Sequence, residues 1–301
     1  MHLVVTCTHR KRQAVAPHLR LGHLDHTNPA ARFTAWTTRL GSATDARYRA
    51  IDLYAGEHWQ VVRSITTAAP PVVLWVASAG YGLIPAEVAI CSYGATFSAG
   101  RDTVGATASQ VADWWRRLGD WAGPAPDQPR TFTDLVRQAP DAKIIAVLSE
   151  AYQRACAADI LTAATSAEHD ALSVIGPPGV QPDLADLLVP VTARLRHTVG
   201  GSLQALNVRV AQHLLAHGAG HGRSDLRAAA AAAEPAETPA ARPTGRPMSD
   251  DEVVAYIHSQ PHSSATQLLR RLRDTGRSCE QARFGRLHRD ACRECPQGRQ
   301  P

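Results

Sequence analysis

Four short apolar runs, each rich in β-branched residues, alternate along the chain with longer stretches of helical periodicity. A run that is apolar at every position offers no polar face to water, so it indicates a strand buried on both sides. Strands of this kind that alternate with helices form a parallel sheet with right-handed crossovers. The sequence therefore predicts an α/β fold, a Rossmann-like open parallel sheet with helices on both faces. The runs are HLVVTCT at 2–8, VVLWVAS at 72–78, KIIAVLS at 143–149 and ALSVIG at 171–176.

The composition changes between Gly218 and Pro247, where Gly, Pro and Ala replace the apolar pattern. Such a composition is typical of a linker. The alanine run at 228–233 extends a helix by a turn or two at most, because Pro235 ends it. We therefore predict an α/β domain over 1–217, an Ala/Pro/Gly-rich linker over 218–247 and a small helical module over 248–301, consistent with a prior of about 150 residues per domain.

Targeting and redox signals point to the cytoplasm. The longest apolar runs fall far short of the roughly 18 residues that a membrane span needs. The first residues, MHLVVTCTHRKR, place their charges after a short apolar run, which reverses the order found in a signal peptide. The six cysteines are scattered and do not form a disulfide framework. We expect a cytoplasmic protein with reduced thiols and no membrane partner.

The predicted strands run directly into polar loops after Thr6, Ser78 and Ser149. In a parallel sheet these loops share one edge, where open α/β folds bind ligands. The first loop places hydroxyls and the consecutive cations at 9–11 near strand-end N–H groups, which suits a phosphate or carboxylate. A merely exposed basic turn is the alternative. The candidate ligand-binding residues are Thr6, Thr8, Arg10, Lys11, Gly80, Tyr81, Gly82, Tyr93, Ser149 and Tyr152.

Three side chains at this edge are candidate catalytic groups: Cys7, Ser78 and Asp102. A nearby cation would favour the nucleophilic thiolate of Cys7, although a cysteine at the end of a buried strand more often only packs. Ser78 precedes a turn like that of a nucleophile elbow, but Val76 stands where the motif requires glycine. Asp102 lies in a polar loop and is the candidate acid or base. The glycines around Tyr81 alternatively allow a ligand or another strand to approach closely.

Residues 248–301 carry the signals of three short helices. Acidic residues follow the N-cap Ser249, Ser264 begins a second helix, and Gly276 ends it shortly before a third. Three helices with a tight turn between the last two fit a helix-turn-helix unit, a small all-α module.

The third helix, EQARFGRLHRD, divides into an apolar face and a basic face. From Ser264 to Arg289 seven arginines stand against two acidic residues, which favours a nucleic-acid partner, most simply DNA. A solvated or protein-docking face is the alternative. The expected core consists of Leu268, Leu269, Leu272, Ala282, Phe284 and Leu287. The candidate nucleic-acid contacts are Arg277, Arg283, Arg286 and Arg289.

A possible ligand set for zinc follows the pattern C-x8-H-x3-C-x2-C near the end of the chain. Thiolate and imidazole ligands suit a tetrahedral structural Zn²⁺. The alternative is a free tail with unused thiols. The four residues are Cys279, His288, Cys292 and Cys295.

Several segments carry a family resemblance. The first strand ends in Thr-Cys-Thr followed by basic residues, SAGYGLIPAEVAICSYGATFS spans 78–98, and LSEAYQRA spans 148–155. Together with GGSLQALNVRV at 200–210, they resemble a group of bacterial proteins allied to the YaaA-like and archaeosine-synthase-like proteins. In that group Ser-Ala-x-Tyr-Gly-Leu ends a central strand, and a tyrosine, here Tyr93, precedes Thr-Phe or Thr-Leu. The Leu-Arg-x-x-Gly-x-x-Cys-Glu-Gln-x-Arg-Phe pattern at 272–284 resembles a recurring terminal module.

The resemblance covers most of residues 1–215 and implies a Rossmann-like domain that acts near nucleic acids or modified bases, in phage defence or in deazaguanine-type base modification. On this hypothesis the protein binds or acts on a nucleotide, nucleobase or modified base, with Tyr81 and Tyr93 stacking a base while Arg10 and Lys11 hold phosphate. One alternative is a non-catalytic DNA-binding or sensor protein. The other is a hydrolase that uses Ser78 or Cys7.

Overall fold

The four apolar runs form parallel strands of one sheet, as the sequence predicts. The computed structural model describes residues 1–24, 28–68, 72–217, 220–236, 245–260 and 263–294. Its strands are β1 (His2–Thr6), β2 (Arg47–Arg49), β3 (Val73–Ser78), β4 (Gly82–Pro85), β5 (Ala89–Cys91), β6 (Ile144–Val147), β7 (Leu172–Gly176), β8 (Leu188–Pro190), β9 (Arg246–Pro247) and β10 (Arg277–Ser278). Its α-helices are α1 (Pro29–Ser42), α2 (Ala50–Leu53), α3 (Glu57–Ala68), α4 (Ala108–Asp120), α5 (Phe132–Gln138), α6 (Glu150–Ala164), α7 (Arg196–Val199), α8 (Leu206–His217), α9 (Arg223–Ala233), α10 (Asp250–His258), α11 (Ala265–Asp274) and α12 (Gln281–Glu294).

The first of two compact units, Met1–Ala236, contains a six-stranded sheet with the order β4-β3-β1-β6-β7-β8. Its strands are parallel except for β4, which returns antiparallel to β3. Numbered along the chain, the five parallel strands have the order 2-1-3-4-5. The chain therefore reverses its progress across the sheet between β1 and β6, and the crevice at such a switch point is where open α/β sheets bind ligands.

Helices cover the sheet. Every residue of β6 and β7 is buried, so neither face of these strands is open to water. The helices pack in two groups, α4 with α5 and α6, and α3 with α8 and α9. Apolar strands between two helical layers explain why the runs lack the alternation of a half-exposed sheet.

The predicted linker over 218–247 begins too early, because helix α9 belongs to the first unit. This helix lies within 218–247 but packs against β8 and α8, with Leu226 and Ala230 buried. Arg227 donates from Nε to the carbonyl of Leu188 over 2.6 Å, and Arg223 donates to that of Leu172 over 2.9 Å. The first unit thus extends to Ala236 because a short apolar stripe and two arginines attach the alanine-rich segment to the sheet.

The second unit, Glu237–Pro301, contains the three predicted helices. Ser249 and Ser264 each complete a capping box at the start of α10 and α11. The stretch between α11 and α12 includes β10, which pairs in parallel with β9. Five of the six predicted core residues are buried, but Ala282 is exposed because the apolar face of α12 runs through Phe284, Leu287 and Ala291. Among the described residues, no helix is long and apolar enough to cross a membrane.

Candidate functional site

A cleft of about 800 Å³ lies at the switch point, where the loops after β1 and β6 separate. Its size is that of a small-molecule site. Five segments form its walls: the loop after β1, the start of α3, the loop before α4, the start of α6 and the segment before α8. They supply Thr6–Arg10, Ala55–His58, Ala95, Thr96, Ser98–Asp102, Ser149, Tyr152, Ser202, Gln204 and Ala205.

One part of the cleft wall pairs a thiol with a phenol. The Sγ of Cys7 lies 2.9 Å from the hydroxyl of Tyr152, and both side chains are largely buried. Burial, together with the nearby thiol, holds the pKa of Tyr152 well above its ordinary value. The phenol therefore stays neutral and has a proton to donate. The structure thus brings Cys7 and Tyr152 together, although they are 145 positions apart in sequence.

Lys11 does not line the cleft. Its Nζ lies 4.2 Å from the ring centroid of Tyr93 and donates to the carbonyl of Thr8 over 3.2 Å. Desolvation lowers the pKa of Lys11, while the nearby Asp102 carboxylate opposes that shift. The ammonium group of Lys11 thus contacts a tyrosine face and a carbonyl, and the expectation that Lys11 holds phosphate stays a prediction.

The acidic groups of the cleft both have cationic partners. Asp102 is buried, accepts from the backbone N–H of Gly22 over 3.0 Å, and accepts from Arg20 over 3.3 Å. Glu57 accepts from Nε of Arg209 over 2.7 Å. Hydrogen bonds from Ser202 and Arg209 lower the pKa of Glu57. With both carboxylates paired to arginines, the exposed Arg10 and Arg101 leave the mouth of the cleft positive.

Ser78 is a structural residue in this geometry. Its side chain is fully buried, and its Oγ accepts from the backbone N–H groups of Gly80 and Tyr81. The same oxygen lies 2.6 Å from the hydroxyl of Tyr93, which in turn lies 2.9 Å from that of Tyr54. Ser78 therefore fixes the turn after β3, and no substrate reaches it as a nucleophile.

The predicted base-stacking role of Tyr81 and Tyr93 is wrong, because the two residues are only 3% and 0% exposed. The tyrosine rings pack edge to face with centroids 5.1 Å apart. A Cβ on Gly80 would lie 2.4 Å from the Tyr93 ring, so the glycine makes room for a tyrosine rather than for a ligand. Gly82 (φ +76°) packs beside Arg130 and Leu118 outside the cleft.

Two groups of site residues were missed by sequence reasoning. Glu57 and His58 begin α3. The only sequence feature that marks them is a polar pair directly after Ala55-Gly56. The second group comes from GGSLQALNVRV, which the sequence singled out as a motif without placing it. Gly201 (φ +78°) packs against Arg209, and Asn207 donates to the carbonyl of Leu148 at the end of β6 over 3.0 Å. These contacts bring the segment to the carboxyl edge.

His58 has an unusual environment. Its Nε2 is buried and has no hydrogen-bond partner among the described residues. Desolvation lowers the pKa of His58 to about 4, although a hydrogen bond to the backbone of Thr6 opposes the shift. The imidazole is therefore neutral at physiological pH.

In the second unit, Arg277, Arg286 and Arg289 are exposed, as residues that contact nucleic acid must be. Arg283 is not available, because it donates to Oδ1 of Asp250 over 2.6 Å and to the carbonyl of Met248 over 3.0 Å. It connects α12 to the start of α10 instead.

The predicted zinc ligands do not come together in the part of the chain that the structure describes, which holds no group of three or more His, Cys, Asp or Glu arranged around a metal position. Cys279 is buried in the apolar core, and burial raises the pKa of its thiol, which disfavours the thiolate that zinc needs. His288 and Cys292 are neighbours on α12. Cys295 lies outside the described residues.

No family model, no curated protein and no solved structure matches this chain. Fold and cleft together define a doubly wound α/β protein with a positively charged crevice at its switch point.

Proposed function

We propose that the first unit binds a nucleotide, or a nucleobase that carries phosphate, in the switch-point cleft. The observation that carries this proposal is the charge pattern of the cleft. Its carboxylates are paired with Arg209 and Arg20, while Arg10 and Arg101 stand exposed at its mouth. A cleft of this size with cations near strand-end and helix-start N–H groups suits a phosphorylated ligand. The resemblance to base-modification proteins supports the same ligand class.

The test is equilibrium binding of the four ribonucleoside 5′-monophosphates to the full-length protein. Charge-assisted hydrogen bonds contribute about 1.5–3 kcal/mol each, so Arg10→Ala and Arg101→Ala should each weaken binding about tenfold or more. Arg12→Ala is the matched control, since Arg12 is exposed on the same loop but does not line the cleft. Equal effects of Arg10→Ala and Arg12→Ala would mean that net charge, not this cleft, attracts the ligand.

A second candidate function, covalent catalysis by Cys7, is favoured by one specific observation. The thiol lines the cleft next to the neutral phenol of Tyr152, whereas the alternative nucleophile Ser78 is inaccessible. Iodoacetamide labelling followed by peptide mass spectrometry tests this candidate. Cys7 should react faster than the fully buried Cys156, and a bound nucleoside monophosphate should protect Cys7 while leaving the exposed Cys292 unprotected. Labelling of Cys7 no faster than that of Cys156 would exclude the candidate.

We further propose that the second unit contacts nucleic acid, most simply DNA, as a helix-turn-helix module formed by α11 and α12. The exposed arginines around the turn support this proposal, and a phosphate backbone is the polyanion that they fit.

A further inference from the structure

A second pocket, here called the side pocket, adjoins the switch-point cleft and has no part in the proposed function. It has a volume of about 740 Å³ and lies between the loop before α4 and the start of α6. Ser98, Ala99, Gly100 and Ser149 line both the side pocket and the cleft, so the two spaces share a rim. Their volumes together exceed about 1,000 Å³, the upper end of the range for sites that hold one small ligand.

The side pocket differs from the cleft in its charge. Among the described residues that line it, Glu150 and Arg154 are the only charged ones, and they pair with each other over 3.2 Å across one turn of α6. Its other walls combine apolar side chains with hydroxyl groups. They include Phe97, Val111, Ser98, Thr103 and Thr107. Such a lining suits an uncharged group with polar atoms at its edges, whereas an anion would meet no unpaired cation among these residues.

A cation stands next to the rim that the two spaces share. Arg101 directly follows Gly100 of the rim, is exposed, and lines the cleft but not the side pocket. The next residue, Asp102, pairs with Arg20 over 3.3 Å, so its carboxylate already has a cationic partner. Arg10 comes from the separate loop after β1. The site therefore offers two separate cations in the cleft, one of them beside the rim, and an uncharged pocket beyond that rim.

We propose that the side pocket holds a second nucleoside, so that the full ligand is a 5′-phosphorylated dinucleotide. This inference rests on the proposed function and deepens it. The first nucleotide occupies the cleft with its 5′-phosphate toward Arg10, and the phosphodiester lies at the rim beside Arg101. The second nucleoside, which carries hydrogen-bonding groups but no charge, enters the side pocket.

The experiment measures binding of three probes to the unaltered full-length protein. They are the ribonucleoside 5′-monophosphate that binds best, the 3′,5′-bisphosphate of the same nucleoside, and the 5′-phosphorylated dinucleotide that extends it. The bisphosphate adds the second phosphate without a second nucleoside, so it separates the effect of charge from that of the side pocket. We expect the dinucleotide to bind about tenfold or more tightly than the bisphosphate, because burial of only about 60 Å² of apolar surface corresponds to that factor.

A blocking variant locates this gain in the side pocket. Ala108 is exposed in the first turn of α4 and lines the side pocket but not the cleft, so Ala108→Trp places a large ring there. We expect Ala108→Trp to abolish the gain from the second nucleoside and to leave the affinity for the monophosphate and the bisphosphate unchanged. Ala31→Trp is the matched control, since Ala31 is exposed in the first turn of α1 and lines neither space.

The outcomes separate this inference from the proposed function. If the monophosphate binds and the dinucleotide binds no more tightly than the bisphosphate, the inference is overturned and the proposed function stands. A gain that Ala108→Trp retains in full overturns it as well. If no monophosphate binds to the unaltered protein, the proposed function falls and the inference falls with it. A longer 5′-phosphorylated oligonucleotide that binds as tightly would identify the ligand as a strand end, and one that binds more weakly would identify it as a free dinucleotide; both results keep the second nucleoside in the side pocket.

Discussion

At the scale of single residues, the contact between Gly80 and Tyr93 shows what local sequence does and does not reveal. The glycines around Tyr81 indicated a close approach, and that approach exists. The approaching group is the ring of Tyr93, 13 positions away in sequence. The sequence alone did not identify this ring, because the spacing of residues along the chain does not show which aromatic rings become buried. Both Tyr93 and Cys7 were candidate site residues, yet Tyr93 is fully buried and does not line the cleft, whereas Cys7 lines it.

The first residue-scale prediction concerns Gly80. A Cβ there would lie 2.4 Å from the Tyr93 ring, which is held by hydrogen bonds to Ser78 and Tyr54. We expect Gly80→Ala to lower the free energy of unfolding by about 1–3 kcal/mol through overpacking. Gly41→Ala is the control: Gly41 lies in α1 with open space around it, so the change should stabilise by up to about 1 kcal/mol. Urea unfolding measures both, and equal effects would contradict the packing account.

The second residue-scale prediction concerns acid stability. Burial lowers the pKa of His58 to about 4 in the folded chain, against 6.5 as its ordinary value. The unfolded state therefore takes up a proton first as the pH falls, and stability is lost between about pH 6.5 and pH 4. We expect the unaltered protein to lose about 2 kcal/mol more than His58→Gln between pH 7 and pH 5, measured by urea unfolding at each pH. Parallel losses in the two proteins would mean that other groups control acid unfolding.

At the scale of elements, the strands that could be predicted are those with long apolar runs. Strands β4 and β8 were missed because they are only four and three residues long, and β4 begins directly after a tight turn. The sheet order could not be predicted either, since crossovers of similar length can place a strand on either side of β1. Of the three predicted loops, those after β1 and β6 line the cleft, whereas the turn after β3 is buried and does not. The 202–205 segment joins the cleft through the contacts of Asn207 and Arg209, which no run or spacing signals.

Helix α9 gives the element-scale prediction. A chain that ends at Ala236 should fold like the first unit of the full protein, because it keeps Leu226, Ala230 and the arginine bonds to β7 and β8. A chain that ends at His217 loses them, and burial of Leu226 alone corresponds to about 1.5–3 kcal/mol. We expect thermal unfolding of the shorter chain at a clearly lower temperature. Identical melting of the two chains would show that α9 is only loosely attached.

At the scale of the whole molecule, two compact units carry the two proposed binding roles, and the second role has its own prediction. Arg286 and Arg289 are exposed on α12. Each phosphate-contacting arginine contributes about one released counterion, so Arg286→Ala with Arg289→Ala should reduce the slope of log affinity against log salt by roughly two units. Fluorescence anisotropy with a duplex DNA probe measures the slope.

The control for this measurement is a variant with both Arg12→Ala and Arg137→Ala, since these two arginines are exposed in the first unit. Arg283→Ala is not a suitable probe, because loss of its bonds to Asp250 and Met248 should destabilise the second unit itself. A slope unchanged by Arg286→Ala with Arg289→Ala would favour the protein-docking alternative for this module.

The position of α9 against β8 also bears on self-association. Strand β8 is the last strand of the sheet, and an uncovered edge offers unpaired backbone groups to a second chain. Arg227 donates to the carbonyl of Leu188 in β8, so it occupies an acceptor that an incoming strand would use. The alanine-rich helix therefore protects this edge from intermolecular strand pairing, and chains that lose it should aggregate through added β-structure rather than merely melt earlier.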